Sequence, residues 1–234
     1  MKPLLLMQMG DVPDAGGKLP ENFDKIFLRM ADYGSREVKI IHAAKGEKSG
    51  SPLEYAGVIV TGSPAMVTDR EEWSENSGRW LAGAIGSDVP VLGVCYGHQL
   101  IAKALGGRVD FHPAGLELGT HQVTLTEKGR VHPLLAGLPA SFQANMAHSQ
   151  TVLYLPECAE VLAYSAHDPH QIVAYGERSL GLQFHPEFDA ATMQAYVNIR
   201  TGPGTVPRQM RLGLPVRNTP LAASILQRFV DSCK

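Results

Sequence analysis

Cysteine is scarce. Cys95, Cys158 and Cys233 are three in 234 residues, an odd number set far apart, which argues against a disulfide framework. Their scarcity points to a reducing compartment, and a cytoplasmic protein is expected. Neither sign of charge dominates: the formal net charge is −2, which gives no electrostatic basis for binding nucleic acid or an anionic membrane. No stretch reaches the ~18 apolar residues of a membrane span. The first apolar run, Leu4 to Met7, is broken at Gln8. It is too short for a secretory core and lacks a small-residue cleavage site, so it reads as a buried strand. Internal repeats, low-complexity tracts and a P-loop are all missing. Nothing in these residues would activate an acceptor with ATP, and no cofactor is expected. With 44% hydrophobic and 19% charged residues, the composition is that of an ordinary globular protein. The length suits one large domain, taken as 1–234.

What is there alternates. Apolar runs at Leu4–Met9, Val38–Ile41, Gly57–Val60 and Val91–Val94 read as strands. Helical spacing appears between them, with Phe23, Ile26, Phe27 and Met30, then Trp73, Trp80, Leu81 and Ile85. That order predicts an α/β fold: an open, mostly parallel central sheet with helices on both faces. Strand-like runs at 107–109, 121–126, 161–164, 172–175 and 180–184 have short connections and predict an antiparallel extension. Helices are expected again over 190–199 and 221–230. Two Gly/Pro-rich stretches, 10–20 and the basic 200–218 with Arg200, Arg208, Arg211 and Arg217, read as loops, the first placed to cover a site and the second solvated.

Gly93-Val94-Cys95-Tyr96-Gly97 carries the chemistry. It lies between a strand and a helix-like run, so Cys95 falls at the apex of a tight strand–helix turn. Glycines on both sides let backbones crowd a strained nucleophile. The helix N-terminus beside it favours the thiolate. A cysteine nucleophile needs a base, and the base needs an orienting acid. The run Leu180 to Phe184 ends in His185-Pro186-Glu187. Residues two apart in extended chain share a side, so Glu187 can hold the His185 ring. Tyr96 N–H at the helix start is a candidate oxyanion donor, and the turn Thr61-Gly62-Ser63-Pro64 is a candidate source of a second.

These three segments resemble class I glutamine amidotransferases of the Cys-His-Glu type. The match rests on Val60-Thr61-Gly62-Ser63-Pro64, Gly93-Val94-Cys95-Tyr96-Gly97-His98-Gln99 and Gln183-Phe184-His185-Pro186-Glu187, in that order. It covers nearly the whole chain and looks most like the free-standing members related to the amidotransferase domain of GMP synthase. The resemblance implies a flavodoxin-like fold and a set of roles. Cys95 would attack the side-chain amide of glutamine, His185 would shuttle protons, Glu187 would orient it, and Gly62 and Tyr96 N–H would hold the oxyanion. Gln99, one helical turn on, would hold the substrate's amino-acid end. Asn145 to Gln150 is similar to the family's substrate-side loop, with His148 and Ser149 as binding candidates and Gln150 where the family often has an acid. The products would be glutamate and ammonia, the latter passed to a separate synthase subunit. The alternatives are a stand-alone γ-glutamyl hydrolase and a non-catalytic regulatory module.

Other residues read as structure. His98 is expected to pack. His167-Asp168-Pro169-His170 is expected to be a solvent-facing turn, and His112, His121 and His132 show no metal-ligand spacing. Cys158 and Cys233 are expected to be structural or surface thiols, and Met7, Met9, Met30 and Met146 to fill core.

Overall fold

Strand β1 (Leu4–Gln8) is buried on both faces, and its alternation decides which core each residue joins. Leu4 and Leu6 pack with Phe27, Ile225 and Phe229 on one side. Leu5 and Met7 pack with Leu81, Ala84, Leu100 and Ile101 on the other. Each such leucine contributes about 2 kcal/mol by leaving water. A strand apolar on both faces belongs at the centre of a covered parallel sheet. The computed structural model describes residues 1–12, 21–201 and 214–233.

Around β1 the sheet grows in both directions. β2 (Val38–His42) and β3 (Gly57–Val60) pair with it in parallel. β4 (Val91–Val94) pairs in parallel with β3, and β11 (Leu180–Leu182) with β4. From β11 the same sheet continues antiparallel through β10 (Ile172–Tyr175), β9 (Ala159–Tyr164), β6 (Glu117–Leu125) and β7 (Ser141–His148). The order is β2-β1-β3-β4-β11-β10-β9-β6-β7. A separate two-stranded piece pairs β5 (Arg108–Phe111) with β8 (Gln150–Tyr154). The α/β class is thus observed, and the antiparallel extension is continuous with the parallel half.

Helices α1 (Phe23–Met30) and α6 (Pro220–Ser232) cover one face; α2 (Glu72–Gly86) and α3 (Tyr96–Ala104) cover the other. α1 starts where the Asn22 side chain accepts from Phe23 N–H, and α6 starts with Pro at its first position. Short α4 (Glu127–Val131) is capped by Thr126. α5 (Ala190–Arg200) is capped by Asp189, which accepts from Thr192 N–H at 2.7 Å. A third core cluster, with Phe23, Phe188, Met193 and Tyr196, packs beside the His185 turn. No described helix is long and apolar enough to cross a membrane.

Candidate active site

The parallel strands deliver their chemistry at one edge, just past their C-terminal ends, where open α/β sheets gather ligands. β4 runs directly into Cys95, whose φ of 50° and ψ of −102° lie in a region side-chain-bearing residues rarely adopt. The glycines around it are required by space. A Cβ on Gly93 would fall 2.7 Å from the Gly97 carbonyl carbon, and one on Gly97 would fall 2.7 Å from Val60 O. The elbow is anchored by Cys95 N–H donating to Leu182 O at 2.7 Å. Cys95 therefore sits before the first turn of α3, against β11, as its sequence predicts.

Just beyond β11 the chain turns through His185-Pro186-Glu187. His185 Nδ1 lies 2.7 Å from Glu187 Oε1, and both side chains are buried. The β11 pairing already ends at Leu182, before Pro186, and the His185 N–H is taken by Asn145 O at 2.8 Å. The ring is stacked on Phe188 at 4.2 Å and 11°. Nδ1 faces a carboxylate and carries the proton in the neutral ring. Nε2 is buried without a hydrogen-bond partner among the described residues.

Gly62 measures how close the nucleophile and the imidazole come. A Cβ placed there would lie 3.0 Å from His185 Cε1 and 3.8 Å from Cys95 Cβ. The Cys95 side chain and the ring thus converge on one glycine, from elements ninety residues apart in sequence (95 and 185). Thr61 and Ser63 tie that glycine's turn to the end of β1: Thr61 Oγ1 accepts from Met9 N–H at 3.1 Å and Ser63 Oγ donates to Met9 O at 3.1 Å. Among the described residues, Gly62 N–H and Tyr96 N–H have no acceptor.

The electrostatics follow the geometry. Burial alone would raise the Cys95 pKa. The adjacent His185 reverses this, with help from His148, and holds the thiol below its ordinary range. Burial alone would lower His185, but Glu187 and Cys95 raise it. Both shifts describe one thiolate–imidazolium pair propped by a carboxylate.

A small cleft opens over Cys95. Its lining holds Tyr96 and Gln99 from α3, the turn from Ser63 to Met66, Ala147 to Gln150, and Tyr196 and Arg200 from α5. Gln99 Nε2 donates to Gln150 O at 2.7 Å and to Gln183 Oε1 at 3.0 Å, which leaves its Oε1 as the free acceptor. His148 lines the cleft, but both ring nitrogens are engaged by protein, with Glu117 Oε2 at 2.8 Å and Gln150 O at 2.9 Å. Ser149 Oγ accepts from Arg200 Nη2 at 2.8 Å.

Several expectations change here. Residues 145–150 are not a loop: β7 and β8 meet with Ser149 between them, and the β8 pairing to β5 is what holds the second strand. The Gln150 side chain does not take an acid's place toward a ligand. Its amide is committed to Val67 N–H at 3.0 Å and Thr68 Oγ1 at 2.6 Å. The 167–170 turn faces solvent in part: Pro169 is exposed and His167 and His170 are half-buried, but Asp168 is fully buried and accepts from His170 N–H at 2.7 Å. His167 stacks on His112 at 4.1 Å. Of the basic segment, Arg200 instead ends α5, while 214–219 is loop as expected, tied to β6 where Pro215 O accepts from Thr120 N–H at 2.7 Å. Arg208, Arg211 and most of the 10–20 stretch lie outside the described residues. His98 packs as expected, fully buried and 3.1 Å from Tyr175 OH, with burial pushing its pKa down to about 3.

Two contributors escaped the sequence: Glu117, which pairs with a residue 31 positions on, and Arg200, which looked like loop charge. A basic residue at the end of the last helix before a Gly/Pro stretch was the available signal for Arg200.

The family model Glutamine amidotransferase class-I matches residues 21–199, and the chain belongs to that family. It is 40% identical over 180 residues to a GMP synthase [glutamine-hydrolyzing] of Thermomicrobium roseum, covering 71% of this chain and 32% of that one. It is 37% identical over 135 residues to a protein of Methanococcus maripaludis named as one subunit of a glutamine-hydrolyzing GMP synthase, covering 57% and 65%. The chain thus spans about a third of the length of the first and under two thirds of the second. A solved glutamine amidotransferase from Methylobacillus flagellatus has the same fold, with a TM-score of 0.77 at 19% identity over all of this chain and 96% of that one.

Proposed function

We propose that this chain hydrolyses the side-chain amide of glutamine through a thioester on Cys95. One observation carries the reading: the Cys95 side chain and the His185 ring meet over Gly62, with Glu187 on the far nitrogen of the ring. The Cys95 thiolate, whose proton already rests on His185, adds to the amide carbon. Gly62 and Tyr96 N–H groups stabilise the oxyanion that forms. His185 then protonates the departing nitrogen, the C–N bond breaks, and ammonia leaves a γ-glutamyl thioester. Water adds to that carbon, giving its proton to His185. The C–S bond breaks, the thiolate recovers its pairing, and glutamate departs. Glu187 keeps the ring in one tautomer throughout.

The amino-acid end of the substrate has two partners in this reading. The Gln99 Oε1 accepts from the α-ammonium, since its amide nitrogen is already committed. Arg200, held over Ser149 at the cleft wall, meets the α-carboxylate. Ammonia goes to a separate synthase partner of the GMP synthase kind, a reading supported by the relatives named as single subunits of that enzyme. The test is glutamate release from glutamine by the purified chain, alone and with a GMP synthase that lacks its own amidotransferase part. Release that rises with the partner supports the reading. Unchanged release by Cys95→Ser overturns it.

A further inference from the structure

His148 is buried in the cleft wall, and its ring is fixed by two acceptors. Nδ1 lies 2.9 Å from the Gln150 carbonyl oxygen, which has no proton to give, so Nδ1 carries a hydrogen. Nε2 lies 2.8 Å from Glu117 Oε2. The other partners of that carboxylate are donors too: Gln171 Nε2 at 2.8 Å on the same oxygen and Ser165 Oγ at 3.1 Å on the other. Three donors converging on Glu117 suit an ionised carboxylate, and an ionised carboxylate requires a hydrogen on Nε2 as well. Glu117 and His148 are 4% and 3% exposed, so water does not screen them.

We propose that His148 and Glu117 form a second buried imidazolium–carboxylate pair, whose positive end faces the nucleophile cleft and favours the Cys95 thiolate. The pair would also hold the Gln150 carbonyl in place, and through it the Gln99 amide that frames the substrate. It rests on reading Cys95 as the nucleophile. His148 and Glu117 are positioning residues here, since neither touches the reacting atoms. Cys95 would then stand between two His–Glu pairs, one that moves protons and one that keeps them.

The charged and titratable groups facing His148 are Glu117 from β6, Asp168 and His167 from the turn before β10, and Cys95 from the elbow. His112 stacks on His167 farther out, and His98 lies on the α3 side. Burial lowers His148, but Glu117, Asp168 and Cys95 outweigh it and raise its pKa. Burial raises Glu117, and His148 outweighs it and lowers the pKa. Both directions agree with the donor count.

Two measurements on the full chain test the pair without relying on turnover. The first is ¹⁵N NMR of the wild-type histidine rings at neutral pH, with His148 assigned by His148→Gln. Both His148 nitrogens at imidazolium shifts are expected, and a neutral single-tautomer pattern would overturn the charged pair. The second is the pH midpoint of Cys95 alkylation by iodoacetamide, mapped by peptide mass. Glu117→Gln is expected to raise that midpoint by about one pH unit, a roughly tenfold slower reaction at a fixed pH below both midpoints. An unchanged midpoint in a folded Glu117→Gln protein would overturn the electrostatic role. Should that variant not fold, His148→Gln, whose amide can still donate to Glu117, is expected to give the same upward shift. Failure of glutamine hydrolysis itself would leave both readouts where they are, so the two readings fail separately.

Discussion

Cys95 and Cys233 are both buried, and they behave as different chemical groups. Cys95 precedes the first turn of a helix, where N–H groups point outward and an imidazole stands beside it. Cys233 follows the last turn of α6, where carbonyls point outward, and its thiol donates to Phe229 O at 3.3 Å. Burial pushes Cys233 up to about 11, whereas His185 pulls Cys95 below the ordinary thiol range against the same burial. Reactivity in this chain is a property of the helix end and its neighbours, not of depth.

The sharpest way to break that contrast is to exchange each sulfur for oxygen. Cys95→Ser is expected to lower glutamate release by about 10⁴-fold or more. Cys233→Ser is expected to leave turnover within about twofold, since it lies against Gly57 at the other end of the strands. Next in size is labelling. At neutral pH, Cys95 is expected to react with a glutamine-like electrophile at least about 100-fold faster than Cys233, as read by peptide mapping. Similar rates at both sites would dissolve the comparison.

A smaller effect is expected at Gly62. The Cβ of Gly62→Ala would press on the His185 ring at 3.0 Å, so turnover should fall by about tenfold or more while the fold persists, as circular dichroism would show. The smallest effect concerns stability. A thiol whose folded pKa is raised contributes fully below its unfolded pKa and loses that contribution as pH climbs through the folded value. For Cys233 the window runs from the ordinary 9.0 to about 11. The stability difference between wild type and Cys233→Ala should therefore narrow by up to about 2 kcal/mol across that window, measured by urea unfolding. A constant difference would contradict the shift.

The motifs that were legible are the local ones. Gly93 to Gly97 and His185-Pro186-Glu187 each complete their geometry within a few residues, and spacing encodes them directly. β7 is also legible in the alternation of Phe142, Ala144 and Met146, although its last residues overlap the family-like Asn145–Gln150 stretch, whose resemblance implies a loop. Glu117 had no local signal at all. Its partner is opposite it on the next strand, Glu117 pairing with His148 across β6 and β7, and cross-strand register is not written in either segment alone. At Gln150 the sequence shows an uncharged residue where an acid is common but gives no side-chain direction; its amide is turned into the wall beside Thr68.

The β4–β11 ladder has a consequence for how this chain tolerates change. Leu182 sits opposite Val94, one residue short of the nucleophile and three short of its base, and a three-pair ladder sets their separation. Everything the chain adds between α3 and β11 hangs from that ladder without passing through it. Extra residues at the exposed glycine turns of Gly137 or Gly176 would lengthen the protein and leave the catalytic spacing untouched. A slip of β11 by one position would do the reverse, turning its inward side chains to the opposite face with no change in composition.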